Sequence, residues 1–199
     1  MVEEKNVIII PAYEPDEKLL ILIEELKSLG LVYIIVIDDG SGNEYQKIFK
    51  SAEDSGVYVF HHEKNMGKGQ SIKTAISIML KKIQDINGFI TADSDNQHTA
   101  KDIMRVANKL NECPDNLILG IRDFTSKNVP WKSRNGNKFS SMYFKITTGV
   151  TCLDTQTGLR GIPVSMTELA LGVPGERYEY EMNFLIAVAK NGLQIYNMP

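Results

Sequence analysis

The stretch VYIIVIDDGS, residues 32–41, sets the reading of the whole chain: six apolar residues run straight into two aspartates, a glycine and a serine. The run is too short for a helix. With no polar alternation it reads as a strand buried on both faces, which is the habit of a parallel sheet covered by helices. Equivalent runs stand at residues 7–10, 57–60, 88–91 and 117–121. Between them Ile72, Ala75, Ile76, Met79, Leu80 and Ile83 recur at helical spacing and predict a helix with one continuous apolar face. Residues 16–29 predict another, with acidic residues in its first turn and Gly30 placed to end it. Thr99 followed three residues later by Asp102 resembles a capping box and starts a third, running to about residue 110. Strand, loop and helix in repetition predict an α/β fold of three layers, α/β/α, around a mostly parallel central sheet.

Composition agrees with a folded domain. The 199 residues are 43% hydrophobic and 24% charged, with a net charge of −3, which excludes disordered, collagen-like and coiled-coil classes. One domain spanning 1–199 is expected at this length. No apolar run reaches the roughly 18 to 20 residues of a membrane span, and Glu3, Glu4 and Lys5 precede the first strand, so neither a signal peptide nor a spanning segment is expected. Cys113 and Cys152 lack metal-ligand spacing and predict free thiols in a reducing, cytoplasmic compartment. The pattern changes after residue 121. A basic connection over 122–137 leads to a helical stretch whose Phe139, Met142, Tyr143 and Ile146 are expected to face the core. Residues 159–163 read as a strand, 179–191 as a helix and 194–197 as a last strand, and the abrupt end at Pro199 predicts further residues beyond it.

In open parallel sheets ligands bind beyond the carboxyl ends of the strands. Here the first strand delivers Pro11-Ala12-Tyr13, the second Asp38-Asp39-Gly40-Ser41 and the fourth Asp93-Ser94-Asp95, with Gln97 and His98 close behind. Four carboxylates at one edge repel each other unless some take up protons or a cation intervenes. Asp-x-Asp supplies hard oxygen ligands but too few for a closed cage, which suits Mg²⁺ or Mn²⁺ completed by water and a phosphate-bearing ligand. The bland alternative is that these aspartates only cap a helix and form a turn. Asn65-Met66-Gly67-Lys68-Gly69 opens the strongest helix with backbone N–H groups and an ammonium, an arrangement expected to hold an anion.

These motifs, followed by Gly120-x-Arg122, Asp154-x-x-x-Gly158-x-Arg160 and the acidic run from Glu176 to Glu181, occur in the order seen in family 2 glycosyltransferases. The resemblance covers nearly the whole chain. It is nearest to the branch that moves a sugar from a nucleotide sugar to a polyprenyl phosphate, the dolichyl-phosphate mannosyltransferase type. It implies a nucleotide-diphospho-sugar transferase fold of the glycosyltransferase A type, with residues 1–121 binding the nucleotide sugar and 122–199 forming an acceptor-side half truncated at its C-terminus. By the same resemblance Pro11, Tyr13, Asp38, Asp39, Lys68 and Asp93 contact the nucleotide, Asp93, Asp95 and Gln97 hold the metal, and Arg122, Arg134 and Arg160 bind acceptor or diphosphate. Asp93, Asp95, Asp154, Arg160 and Glu179 are the candidate catalytic residues. Glu14-Pro15 departs from the commoner Asn-Glu of the family, and the elements typical of processive polysaccharide synthases are absent from the sequence.

Residues 121–145 carry six basic residues against one acid, a local charge of +5 that leaves −8 elsewhere. Phe124, Trp131, Phe139, Tyr143 and Phe144 are interleaved with those cations, as expected of a segment drawn to an anionic membrane surface or a lipid phosphate. Nucleic acid is not an expected partner of so acidic a chain. The activity expected is inverting transfer of a hexose from a UDP- or GDP-sugar to a polyprenyl phosphate at the cytoplasmic membrane face. Three alternatives stay open: transfer to a saccharide hydroxyl, with a base among Glu176, Glu179 and Glu181; a sugar nucleotidyltransferase; and a noncatalytic nucleotide-sugar-binding module. The oligomeric state has no signature in the sequence.

Overall fold

The computed structural model describes residues 5–122 and 131–199, the side chains of 131–135 excepted. Its centre is a seven-stranded sheet formed by β1 (Lys5–Ala12), β2 (Ile34–Asp38), β3 (Tyr58–His61), β4 (Ile86–Thr91), β5 (Leu117–Gly120), β6 (Arg160–Pro163) and β7 (Ile195–Met198). The strand order is β3-β2-β1-β4-β6-β5-β7. All pairings are parallel except those of β6, which runs antiparallel to both β4 and β5. The reversal matters for the site, because Thr91 at the end of β4 pairs with Arg160 at the start of β6. One edge of the sheet thus collects the carboxyl ends of β1, β2, β4 and β5 and the loop that enters β6.

Strand alternation distributes the core to two faces. Val7, Ile9, Ile35 and Ile37 join one apolar cluster and Ile8, Ile10, Ile34 and Val36 the other, all of them buried. The first is covered by α3 (Lys68–Lys82), α6 (Thr167–Gly172) and α7 (Glu179–Lys190), the second by α1 (Lys18–Ser28), α2 (Gln46–Asp54) and α4 (Ala100–Glu112). Gly30 adopts φ +85° after α1 and ends it, as expected. Thr99 caps α4 by accepting the Asp102 N–H at 3.2 Å, while the Asp102 carboxylate takes the Thr99 hydroxyl at 2.7 Å. Cys113 and Cys152 are both free.

Several expectations change. The first turn of α1 holds no acid, because the helix starts at Lys18 and Asp16 sits before it, accepting the Lys18 N–H. Leu80 is exposed and Ile83 lies beyond the end of α3, so the apolar face of that helix stops at Met79. The basic connection is shorter than expected, since α5 (Trp131–Thr148) already begins at residue 131. Within α5 the orientation is reversed: Phe144 and Asn137 are buried, whereas Phe139, Met142, Tyr143 and Ile146 face solvent.

Where α3 crosses α7, Gly69 lets the two approach. A Cβ there would stand 2.4 Å from the Cβ of Tyr180. Gly69→Ala is expected to cost about 1–3 kcal/mol by overpacking, read as a lowered midpoint in denaturant. An unchanged midpoint would show that this crossing is loose.

Candidate active site

Each strand end delivers a side chain to the edge with a distinct task. Beyond β1, Tyr13 is half exposed and Glu14 takes φ +50°, its N–H donating to the Ser41 hydroxyl at 2.9 Å. Asp38 is buried and faces away from the cleft. It accepts the Ser41 N–H at 2.8 Å, His61 Nδ1 at 2.7 Å and Gln46 Nε2 at 3.2 Å. Burial works to raise its pKa, but these hydrogen bonds, His61 first, outweigh it and hold the carboxyl below the usual range. Asp39 points the other way and gathers the loop before α3, accepting the N–H groups of Met66 and Gly67 at 2.9 and 2.8 Å and contacting His62 Nδ1 at 2.8 Å. The two aspartates therefore build the turn and the glycine loop that the sequence placed around them.

The β4 end carries the ionic centre. Lys68 Nζ lies 2.7 Å from Asp93 Oδ1 and 3.1 Å from Glu181 Oε1, and His98 Nε2 stands 3.5 Å from Asp93 Oδ2. Burial would raise the Asp93 pKa, yet the His98 hydrogen bond and the Lys68 charge hold it far below the carboxylate range. Burial likewise pushes the Lys68 pKa down, and the charges of Glu181 and Asp93 more than reverse this, so the ammonium stays charged. Gly158 backs onto the pair, since a Cβ there would meet Asp93 Oδ2 at 2.3 Å and Lys68 Nζ at 2.9 Å. Asp95 is exposed, and Gln97 wraps it through its N–H at 3.1 Å and its side-chain amide at 2.6 Å.

A cleft of about 520 Å³ opens above these groups, lined among others by Pro11, Tyr13, Asp39, Lys68, Asp93, Asp95, Arg177 and Glu181. It brings six of the residues expected from sequence to one place. The others, Arg134 apart, do not line it. Gln97 and Arg122 line a smaller hollow of about 170 Å³ beside it. Asp154 is buried and takes Arg122 in a fork, Nε to Oδ2 at 2.8 Å and an Nη to Oδ1 at 3.0 Å, which raises the arginine's pKa. Arg160 is 2% exposed and donates to the carbonyls of Thr157, Thr155 and Glu181, so it braces the loop below the cleft and does not open onto it. Glu179 is exposed at the first position of α7, and its carboxylate accepts the N–H groups of Glu176 and Arg177 in the loop before the helix. The side chain of Arg134 lies outside the described residues.

Of the acidic run from Glu176 to Glu181, the residue that lines the cleft is Glu181. Its signal was present in the helical register: Glu181 shares a flank of α7 with the buried Phe184, Leu185 and Val188, whereas Glu179 does not. Arg177, whose guanidinium donates to Asn65 Oδ1 at 3.1 Å, and the exposed Tyr178 also line the cleft, and nothing local in the sequence singles them out.

Four carboxylates and two cations line this cleft, an excess of negative charge that opposes a diphosphate unless a cation accompanies it. Among the described residues no three His, Cys, Asp or Glu side chains converge as a closed cage. Asp93 and Asp95 would offer such a cation hard oxygens only in an open site, with ligand and water completing the shell.

The model of glycosyl transferase family 2 matches residues 7–164. The chain belongs to that family. The family 2 chain is similar to the UDP-N-acetylglucosamine–dolichyl-phosphate N-acetylglucosaminyltransferase of Methanococcus voltae, at 28% identity over 219 residues covering 100% of this chain and 86% of that protein. Glycosyltransferase AglJ of Haloferax volcanii is 26% identical over 96% of this chain and 61% of its own length. Among solved structures, a cytidylyltransferase from Leptospira borgpetersenii superposes with a TM-score of 0.60 at 16% identity, covering 99% of this chain and 76% of that one. That likeness concerns the fold, which is the glycosyltransferase A type.

Proposed function

We propose that this glycosyltransferase moves a hexose, with inversion, from a UDP- or GDP-sugar to a polyprenyl phosphate at the cytoplasmic face of a membrane. The observation that carries the reading is the one cleft that Asp93, Asp95, Lys68 and Tyr13 line together. Pro11 and Tyr13 would flank the base, and the Asp39-bound loop would hold the diphosphate near Lys68 and the start of α3. Asp93 and Asp95 would hold Mg²⁺ or Mn²⁺, which when bound supplies Lewis-acid stabilisation of the leaving diphosphate. Lys68 adds a fixed positive charge that needs no reorganisation as the glycosidic bond breaks. The lipid phosphate as acceptor is supported by the Methanococcus voltae relative, a dolichyl-phosphate N-acetylglucosaminyltransferase. No helix among the described residues is long and apolar enough to cross a membrane.

A phosphate oxygen is already anionic at neutral pH and needs no general base. Transfer to a sugar hydroxyl would need one, and Glu181 is the acid inside the cleft that favours this second reading. Its pairing with Lys68 favours a positioning task instead. The deciding experiment follows labelled hexose from each nucleotide sugar into a short-chain polyprenyl phosphate or into saccharide acceptors. Glu181→Gln is expected to keep lipid transfer within about tenfold, which is about 1.4 kcal/mol. Label appearing in saccharides alone, with Glu181→Gln lowering that transfer about 100- to 10,000-fold, would establish the hydroxyl reading.

A further inference from the structure

The reversed orientation of α5 leaves an apolar stripe with no partner among the described residues. Phe139, Met142, Tyr143 and Ile146 recur at helical spacing on the side opposite Asn137 and Phe144, and they are 69%, 55%, 51% and 78% exposed. A core-facing helix buries such residues, and four large apolar side chains aligned on a soluble surface mark an interaction site. Two further features select the partner. The sequence of α5 contains four basic residues and no acid, and Lys138 and Lys145, one heptad apart, are both exposed on one flank of the stripe. The stripe is also tied to the cleft: Asn137 donates to the Leu153 carbonyl at 2.8 Å and accepts the Thr155 N–H at 3.1 Å, and Gln156, which lines the cleft, donates to the Ser140 hydroxyl at 3.3 Å.

We infer that the outer face of α5 docks the protein onto an anionic lipid surface, with Phe139, Met142, Tyr143 and Ile146 entering the headgroup boundary and Lys138 and Lys145 meeting lipid phosphates. An apolar stripe with aromatic members beside lysines whose stems reach along it is the composition of a helix lying in the plane of a membrane interface. A second copy of the chain fits less well, since a two-fold contact would set the same all-basic helix against itself. The inference rests on the lipid-acceptor reading and adds to it the surface that brings the cleft to the membrane.

The test is flotation of the 199-residue chain with vesicles of phosphatidylcholine containing about one-third phosphatidylglycerol, and with phosphatidylcholine alone. Binding to the anionic vesicles is expected, falling with added salt. Phe139→Ser/Ile146→Ser is expected to abolish it. Lys138→Gln/Lys145→Gln is expected to weaken it about fivefold per lysine removed, the equivalent of about 1 kcal/mol each. All four positions are exposed, so circular dichroism and nucleotide binding of the variants should match the parent. Vesicle binding that the variants leave intact, no binding by the parent, or a dimer in light scattering that the apolar variant dissolves would each overturn the inference. Nucleotide binding does not depend on vesicles, so its loss or survival judges the transferase reading separately.

Discussion

Asp95→Ala should leave the protein as stable as before and remove nearly all of its transfer activity. The carboxylate is exposed and its partners are groups of Gln97 two residues away, so its removal leaves no buried group unpaired. Surface changes of this kind stay within about 0.5 kcal/mol in stability. The functional loss is of another order. Without Asp95 the proposed metal pair is reduced to Asp93, already engaged by Lys68 at 2.7 Å, and one such donor does not retain a hard divalent cation. A Lewis-acid contribution of several kcal/mol corresponds to a fall of about 100- to 10,000-fold in turnover. The check is a pair of measurements, denaturation midpoint and kcat with excess Mn²⁺. A fall in both together would make Asp95 a structural residue.

Lys68→Met should give the opposite pairing, with both stability and nucleotide binding reduced. The ammonium sits between Asp93 and Glu181, whose side chains are 33% and 11% exposed, and the methionine removes the cation they share, leaving among the described residues only His98 at 3.5 Å from Asp93 and Arg160 at 3.9 Å from Glu181. Breaking a buried pair costs about 3–5 kcal/mol. Because Asp93 is a third exposed and water screens it, about 2–3 kcal/mol is expected here. For a domain of this size that lowers Tm by about 5–10 °C. Nucleotide affinity should drop about 100-fold as the diphosphate loses its fixed cation. The double variant Lys68→Met/Asp93→Asn should recover part of the lost stability, since the two groups are coupled, while binding stays weak. Equal destabilisation by the single and double variants would mean that the ion pair does not hold the site together.

What the sequence disclosed, and what it withheld, follows from how each signal is written. The runs at residues 7–10 and 32–37 are apolar without interruption because both faces of those strands are covered, and the aspartates after them stand at the edge that binds ligands. α2 is harder to read, because its apolar face is only Ile48, Phe49 and Ala52 within nine otherwise polar residues, a single short repeat of the helical spacing. Periodicity finds the stripe of α5 but cannot say which way it points, and Phe144, a single buried aromatic on the other side, decided the matter. The same limit separates Glu179 from Glu181. A motif names the acidic run, but only the register of α7 against its buried residues puts one glutamate over Lys68 and the other at the helix start. Arg160 illustrates a different difficulty: a cation in a family motif suggests a ligand contact, whereas three carbonyls from Thr155, Thr157 and Glu181 occupy its guanidinium.

The central claim is that the edge formed by Tyr13, Asp39, Lys68, Asp93 and Asp95 binds a nucleotide sugar together with a divalent cation. Calorimetric titration with UDP, GDP and their glucose, mannose and N-acetylglucosamine conjugates, in Mn²⁺ and again in chelator, tests it most directly. One base series is expected to bind in Mn²⁺, chelator to weaken it at least tenfold, about 1.4 kcal/mol, and Asp95→Ala to bind as weakly with Mn²⁺ as the parent does without. Failure of folded protein to bind any nucleotide, or binding that neither chelator nor the substitution alters, would contradict it.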